Sequence, residues 1–158
     1  MRRMMVAVAA ALALSACTSV DCPVNSLVRM VYEIDGARKP LVEPLTVLTK
    51  KPNGKDTVLV KPTENTTTFS LPVSYAQPQD IIILSVDMGL DKPVNDTLYI
   101  SKSNEPHFES VDCSPCFFHT ITEVSYTSHL LEDISIAKTT VDYDTDHTHI
   151  YLYFRSDD

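Results

Sequence analysis

The chain is expected to fold as a single all-β domain, an antiparallel β-sandwich of immunoglobulin-like kind, with a closed barrel as the alternative. Three observations lead there. Short runs of β-branched and aromatic residues recur along nearly the whole chain. Turn-forming residues separate them at short spacing. Beyond the first residues no long stretch carries a helical period, and many short strands in a chain of this size suit two packed sheets.

The strands are expected in order. Val28, Met30, Tyr32 and Ile34 alternate with Arg29, Val31 and Glu33, a mostly period-two pattern for a half-buried strand. Leu45 to Thr49 and Asp56 to Val60 flank Pro52-Asn53-Gly54, where Asn-Gly supplies the positive φ of a hairpin turn. Thr67 to Leu71 is closed by Pro72, and Ile81-Ile82-Ile83-Leu84 suits a central strand covered on both faces. Thr97 to Ser101, Phe117 to Tyr126, Leu131 to Val141 and His147 to Phe154 follow. Only Ser128 to Ala137 admits a brief helical turn.

The first residues carry an address. Arg2 and Arg3 precede an apolar run, Val6 to Leu14, that is too short to span a bilayer. A basic start, an apolar core and small residues before a cleavage point make a secretory signal. Leu14-Ser15-Ala16-Cys17 resembles the lipobox of bacterial lipoproteins, in which the cysteine thiol receives a diacylglyceryl group and a peptidase cuts before it. Residues 1–16 then form the signal peptide, 17–25 the lipid anchor (palmitate or a similar acyl chain) and tether, and 26–158 the sandwich. The expected location is the bacterial cell envelope at the outer membrane. The tether lacks the acidic run that marks surface export in many Bacteroidota lipoproteins, so both the periplasmic and the surface face fit.

Composition narrows the partners. Loss of residues 1–16 leaves about 140 residues, one domain with a sizeable core, and lowers a formal charge of −8 by two further units. No basic stripe survives, so nucleic acid is not an expected partner. The expected partners are the lipid bilayer, through acylated Cys17, and an envelope protein or glycan. No cofactor is called for.

Cys22, Cys113 and Cys116 remain after lipidation, and outside the cytoplasm thiols tend to pair. Three thiols allow one bridge in three ways. Joining Cys22 to either later cysteine closes a loop of about 90 residues, worth about 4 kcal/mol by loop entropy. Cys113-Ser114-Pro115-Cys116 has the spacing of a redox motif. Phe117 to Thr122, which follow it, read as a strand, so the helix that activates such a thiol is missing.

Two further patterns carry chemistry. His147 and His149, with Asp144 and Asp146, offer a metal site if both rings lie on one strand face. The competing reading has His147, His149, Tyr151 and Tyr153 facing solvent while Thr148, Ile150, Leu152 and Phe154 face the core. Asp142-x-Asp144-x-Asp146 lacks the glycine and the closing glutamate of a calcium loop and reads as an acidic turn. Asp56-Thr57-Val58 and Asp96-Thr97-Leu98 resemble the O-glycosylation sequon of Bacteroidota envelope proteins, making Thr57 and Thr97 modification candidates. His119 reads as a packed histidine. No nucleophile elbow or phosphate loop is present, so no catalytic residue is named. A non-enzymatic binding or structural module is expected, against a metal-dependent or thiol-active envelope enzyme built on His147, His149 and Cys116.

Several segments together resemble a family of small Bacteroidota lipoproteins whose domain has no assigned function. They are Asp21-Cys22-Pro23, Asp96-Thr97-Leu98, His107 to Cys113, Phe118-His119-Thr120-Ile121 and Ile150 to Phe154. The resemblance implies a Cys22–Cys113 disulfide, makes Cys116 an addition, and implies no catalytic residues.

Overall fold

A computed structural model describes Cys22 and residues 27–51 and 54–156. The signal peptide and Cys17 lie outside the described residues. Ten strands form, and no helix among those residues: β1 Arg29–Asp35, β2 Leu45–Lys50, β3 Asp56–Thr63, β4 Thr68–Pro72, β5 Gln79–Val86, β6 Val94–His107, β7 Cys116–Tyr126, β8 Leu131–Ile136, β9 Thr140–Val141 and β10 Ile150–Phe154. They make a four-stranded sheet, β4-β1-β10-β8, and a six-stranded sheet, β3-β2-β5-β6-β7-β9. The expected sandwich is what forms; neither sheet closes into a barrel.

Alternation explains the packing. Met30, Tyr32 and Ile34 of β1, with Ile150, Leu152 and Phe154 of β10, turn one face of the smaller sheet inward. Leu45, Val47, Ile82, Leu84, Val86, Leu98 and Ile100 do the same for the larger sheet, and all join one hydrophobic core. Burial of these side chains is the main favourable contribution to folding. All strand pairs are antiparallel except β1 with β10, which run parallel in register Tyr32↔Ile150 to Asp35↔Tyr153. The first and last strands thus lie side by side in the middle of one sheet.

Four expectations need correction. β5 is central, but Ile81 and Ile83 are only half-buried while Ile82 and Leu84 are enclosed, so one face is covered rather than two. The run Leu131 to Val141 is two strands in different sheets, β8 beside β10 and β9 beside β7, and no helical turn forms there. β6 spans 14 residues, far more than Thr97 to Ser101, because β7 offers it a partner as far as His107↔Cys116. His149 does not face solvent; it is fully buried.

The β2–β3 hairpin forms as expected. Gly54 sits at φ 76°, and Lys51 N–H donates to the Lys55 carbonyl at 3.1 Å, closing the turn. β3 is an edge strand, and Lys61 and Pro62 within it discourage pairing with another chain.

Candidate functional site

Three groups of side chains carry potential chemistry, and β6 positions two of them. Its inward-facing residues are Asp96, Leu98, Ile100 and Lys102, so strand alternation sends a carboxylate and an ammonium into the interior at opposite ends of one apolar row.

At the Lys102 end, the side chain is fully enclosed. Its Nζ donates to the Gln77 carbonyl at 2.7 Å and lies 3.4 Å from Asp80 Oδ2. Burial lowers the Lys102 pKa and raises that of Asp80, while each partner's charge opposes the other's shift. Beside them, buried His119 on β7 is pushed down to about 4, first by burial and then by the Lys102 charge. Its ring is neutral, with Nδ1 2.7 Å from Asn104 Oδ1. Asn104 Nδ2 donates to the Tyr75 and Gln77 carbonyls, each at 3.1 Å, so its oxygen faces the ring and Nδ1 carries the proton. Asp80 also lines an open concavity of about 370 Å³ together with Thr49, Lys50, Lys51, Gln77 and Gln79. Lys50 and Lys51 line this concavity, while Asp80 is engaged with Lys102.

At the other end, Asp96 accepts from the Thr127 hydroxyl at 2.7 Å and from the amides of His129, Leu130 and Leu131 at 2.6–2.9 Å. Burial alone raises its pKa, and these hydrogen bonds outweigh burial and lower it. Asp96 therefore ties down the loop between β7 and β8. The acidic residue of the Asp96-Thr97-Leu98 sequon lies inside, and half-buried Thr97 donates its amide to Thr127 Oγ1. Thr57 lies on edge strand β3 beside exposed Asp56.

The third group surrounds the cysteines. Cys22 and Cys113 are joined, with Cα atoms 5.5 Å apart and 91 positions separating them. This is the pairing implied by the resemblance. Cys116 is a free, buried thiol whose Sγ is 2.8 Å from Tyr143 Oη. Tyr143 is pushed up to about 12, chiefly by that hydrogen bond. His107 stacks on Phe118 at 4.2 Å, and Tyr143 meets both rings edge-on. The thiol is thus packed beneath aromatic rings at the start of β7, with no helix N-terminus to stabilise a thiolate.

The candidate metal residues are drawn apart. His147 is exposed, and its Nδ1 lies 2.7 Å from Asp144 Oδ2. Asp144 is held well below the usual carboxylate range by its hydrogen bond from Lys138, then by the Asp146 amide. The Asp146 amide donates to Asp144 Oδ1 and the Asp144 amide to Asp142 Oδ1, the local bonds of an acidic turn. His149 points inward instead, and its Nδ1 accepts the Val31 amide at 3.1 Å. Among the described residues no three His, Cys, Asp or Glu side chains converge on a point that could hold a metal ion.

The Lys102–Asp80–His119–Asn104 network was not foreseen. Its signal was in the alternation: Lys102 continues the inward series of Leu98 and Ile100. A buried lysine needs a carboxylate partner, but the partner comes from another strand and no spacing announces it.

These features define a disulfide-braced β-sandwich in which buried Lys102 pairs with Asp80 and buried Asp96 is held by the amides of Leu130 and Leu131. The chain belongs to DUF6452, a family of unknown function, whose model matches residues 44–154. No curated protein and no solved structure matches the chain.

Proposed function

We propose that the chain is a lipid-anchored protein of the bacterial envelope, and that its sandwich serves as a binding or structural module rather than an enzyme. The observation that carries this reading is the Cys22–Cys113 bridge. A disulfide joining the start of the domain to a distant loop persists in an oxidising compartment, outside the cytoplasm. The Leu14-Ser15-Ala16-Cys17 segment supplies the matching address and the thiol for acylation. No described helix is long and apolar enough to cross a membrane, so lipid on Cys17 is the means of attachment in this reading.

The binding role draws on how the reactive groups are used. Asp96, Lys102, His119 and His149 hold backbone and neighbouring side chains in place, and Cys116 is packed beneath aromatic rings. The partner class is an envelope protein or glycan, met through exposed loops or a strand edge. Thr57, on edge strand β3, and Thr97, on β6, are both half-buried glycosylation candidates, and added hexose in the intact mass of the native product is their test.

The reading as a whole is tested in a bacterium that processes lipoproteins. The mature protein is expected to begin at Cys17 carrying diacylglycerol and to fractionate with membranes, while a Cys17→Ala variant stays unlipidated and soluble. A mature product with residues 1–16 still attached overturns it.

A further inference from the structure

We infer that the β6–β7 end of the sandwich is the surface that meets the bilayer, with Phe108 and Val111 as its lipid-contacting tip. The inference deepens the anchored reading and rests on it. Four residues lie between Cys17 and Cys22, so five Cα–Cα steps give a reach of at most about 18 Å. Cys22 is bonded to Cys113 with Cα atoms 5.5 Å apart, so the anchor is tied to the β6–β7 loop itself. β6 is 14 residues long, on the order of 45 Å of strand. The tether is much shorter than that strand, so the loop at the far end of β6, between β5 and β6, cannot come as near to Cys17 as the Cys113 loop does.

The tethered end has the side chains for the task. Val111, two residues before Cys113, is 98% exposed, and Phe108 is 59% exposed. Tyr75 is 55% exposed and stacks on Phe117 of β7 at 4.9 Å, and tyrosine favours the membrane–water boundary. Nothing in the fold needs Val111 outside, whereas an apolar side chain held at a bilayer gains by leaving water. Glu109 and Asp112 share the loop, so the surface that fits is one of zwitterionic headgroups rather than anionic ones.

The chain contains no tryptophan, which makes one introduced indole a clean reporter. Full-length lipidated Val111→Trp and Phe108→Trp are reconstituted in phosphatidylcholine vesicles containing brominated lipid. Leu90→Trp, at a 65% exposed position in the β5–β6 loop, is the control. Blue-shifted emission quenched several-fold more at positions 108 and 111 than at 90 supports the inference. Protein that floats with vesicles but shows equal quenching at all three positions, or more at 90, overturns it and leaves the lipid anchor standing. Protein that carries no lipid and does not float overturns the anchor, and the orientation falls with it.

Discussion

His119 makes the fold sensitive to acid. Its pKa is about 4 in the fold, against an ordinary histidine value near 6.5. The unfolded chain therefore gains a proton between those values while the folded chain does not. The histidine's contribution is complete above pH 6.5 and is lost as pH falls toward 4, an effect of about 3 kcal/mol. His149, also shifted down by burial, adds in the same direction. Denaturant titrations at pH 7 and 4.5 are expected to show a smaller loss of stability in His119→Gln than in the natural chain. Equal losses in the two proteins exclude this account. Asp96→Ala is expected to cost about 3 kcal/mol or more in the same measurement, because three amides and a hydroxyl lose their common acceptor. Gly36 sits at φ 83° with Tyr153 Cδ1 3.2 Å from where a Cβ would stand. Gly36→Ala should cost about 1–2 kcal/mol.

Among the elements, β6 and β7 do most to place chemistry. β6 spans the larger sheet and runs on to carry the Cys113 loop, so one strand links the Asp96 clamp, the Lys102 network and the disulfide. Removing that disulfide with a paired Cys22→Ser, Cys113→Ser substitution frees a loop of about 90 residues in the unfolded chain and should cost about 2–4 kcal/mol. Thermal melting under oxidising and reducing conditions checks this: the natural chain should lose stability on reduction and the variant should not. The β2–β3 hairpin was legible because Asn53-Gly54 announces its turn locally. β8 and β9 were not legible as two strands, since Leu131 to Val141 reads as one run. The change of sheet between Ile136 and Thr140 is decided by partners, β10 on one side and β7 on the other.

For the whole molecule, the parallel β1–β10 pair matters most. β1 lies between β4 and β10, yet it precedes residue 44, where the family match starts. A chain beginning at residue 44 would lose Met30, Tyr32 and Ile34 from the core and expose strand edges on both sides of the gap. Such a truncation is expected to be unfolded or aggregated by circular dichroism and gel filtration, whereas a chain beginning at Cys17 should be folded and monodisperse. The cysteine bridge reinforces the same region by fastening the segment before β1 to the opposite sheet.

Local pattern by itself determined the all-β class, most strand positions, the hairpin turn and the resemblance of Leu14 to Cys17 to a lipobox. Each of these depends on neighbours a few residues apart, and alternation or turn chemistry records such relations directly. Tertiary structure decided which charges are buried and what they touch. His149 illustrates why: alternation continued back from Ile150 reads it as outward, but it lies just before β10, where Val31 of β1 offers its amide to the ring and the side chain lies inside. Lys102 with Asp80, and Asp96 with the loop before β8, are likewise partnerships across 22 to 35 positions of sequence. Their energy comes from pairing charge away from water, which no single segment can arrange alone.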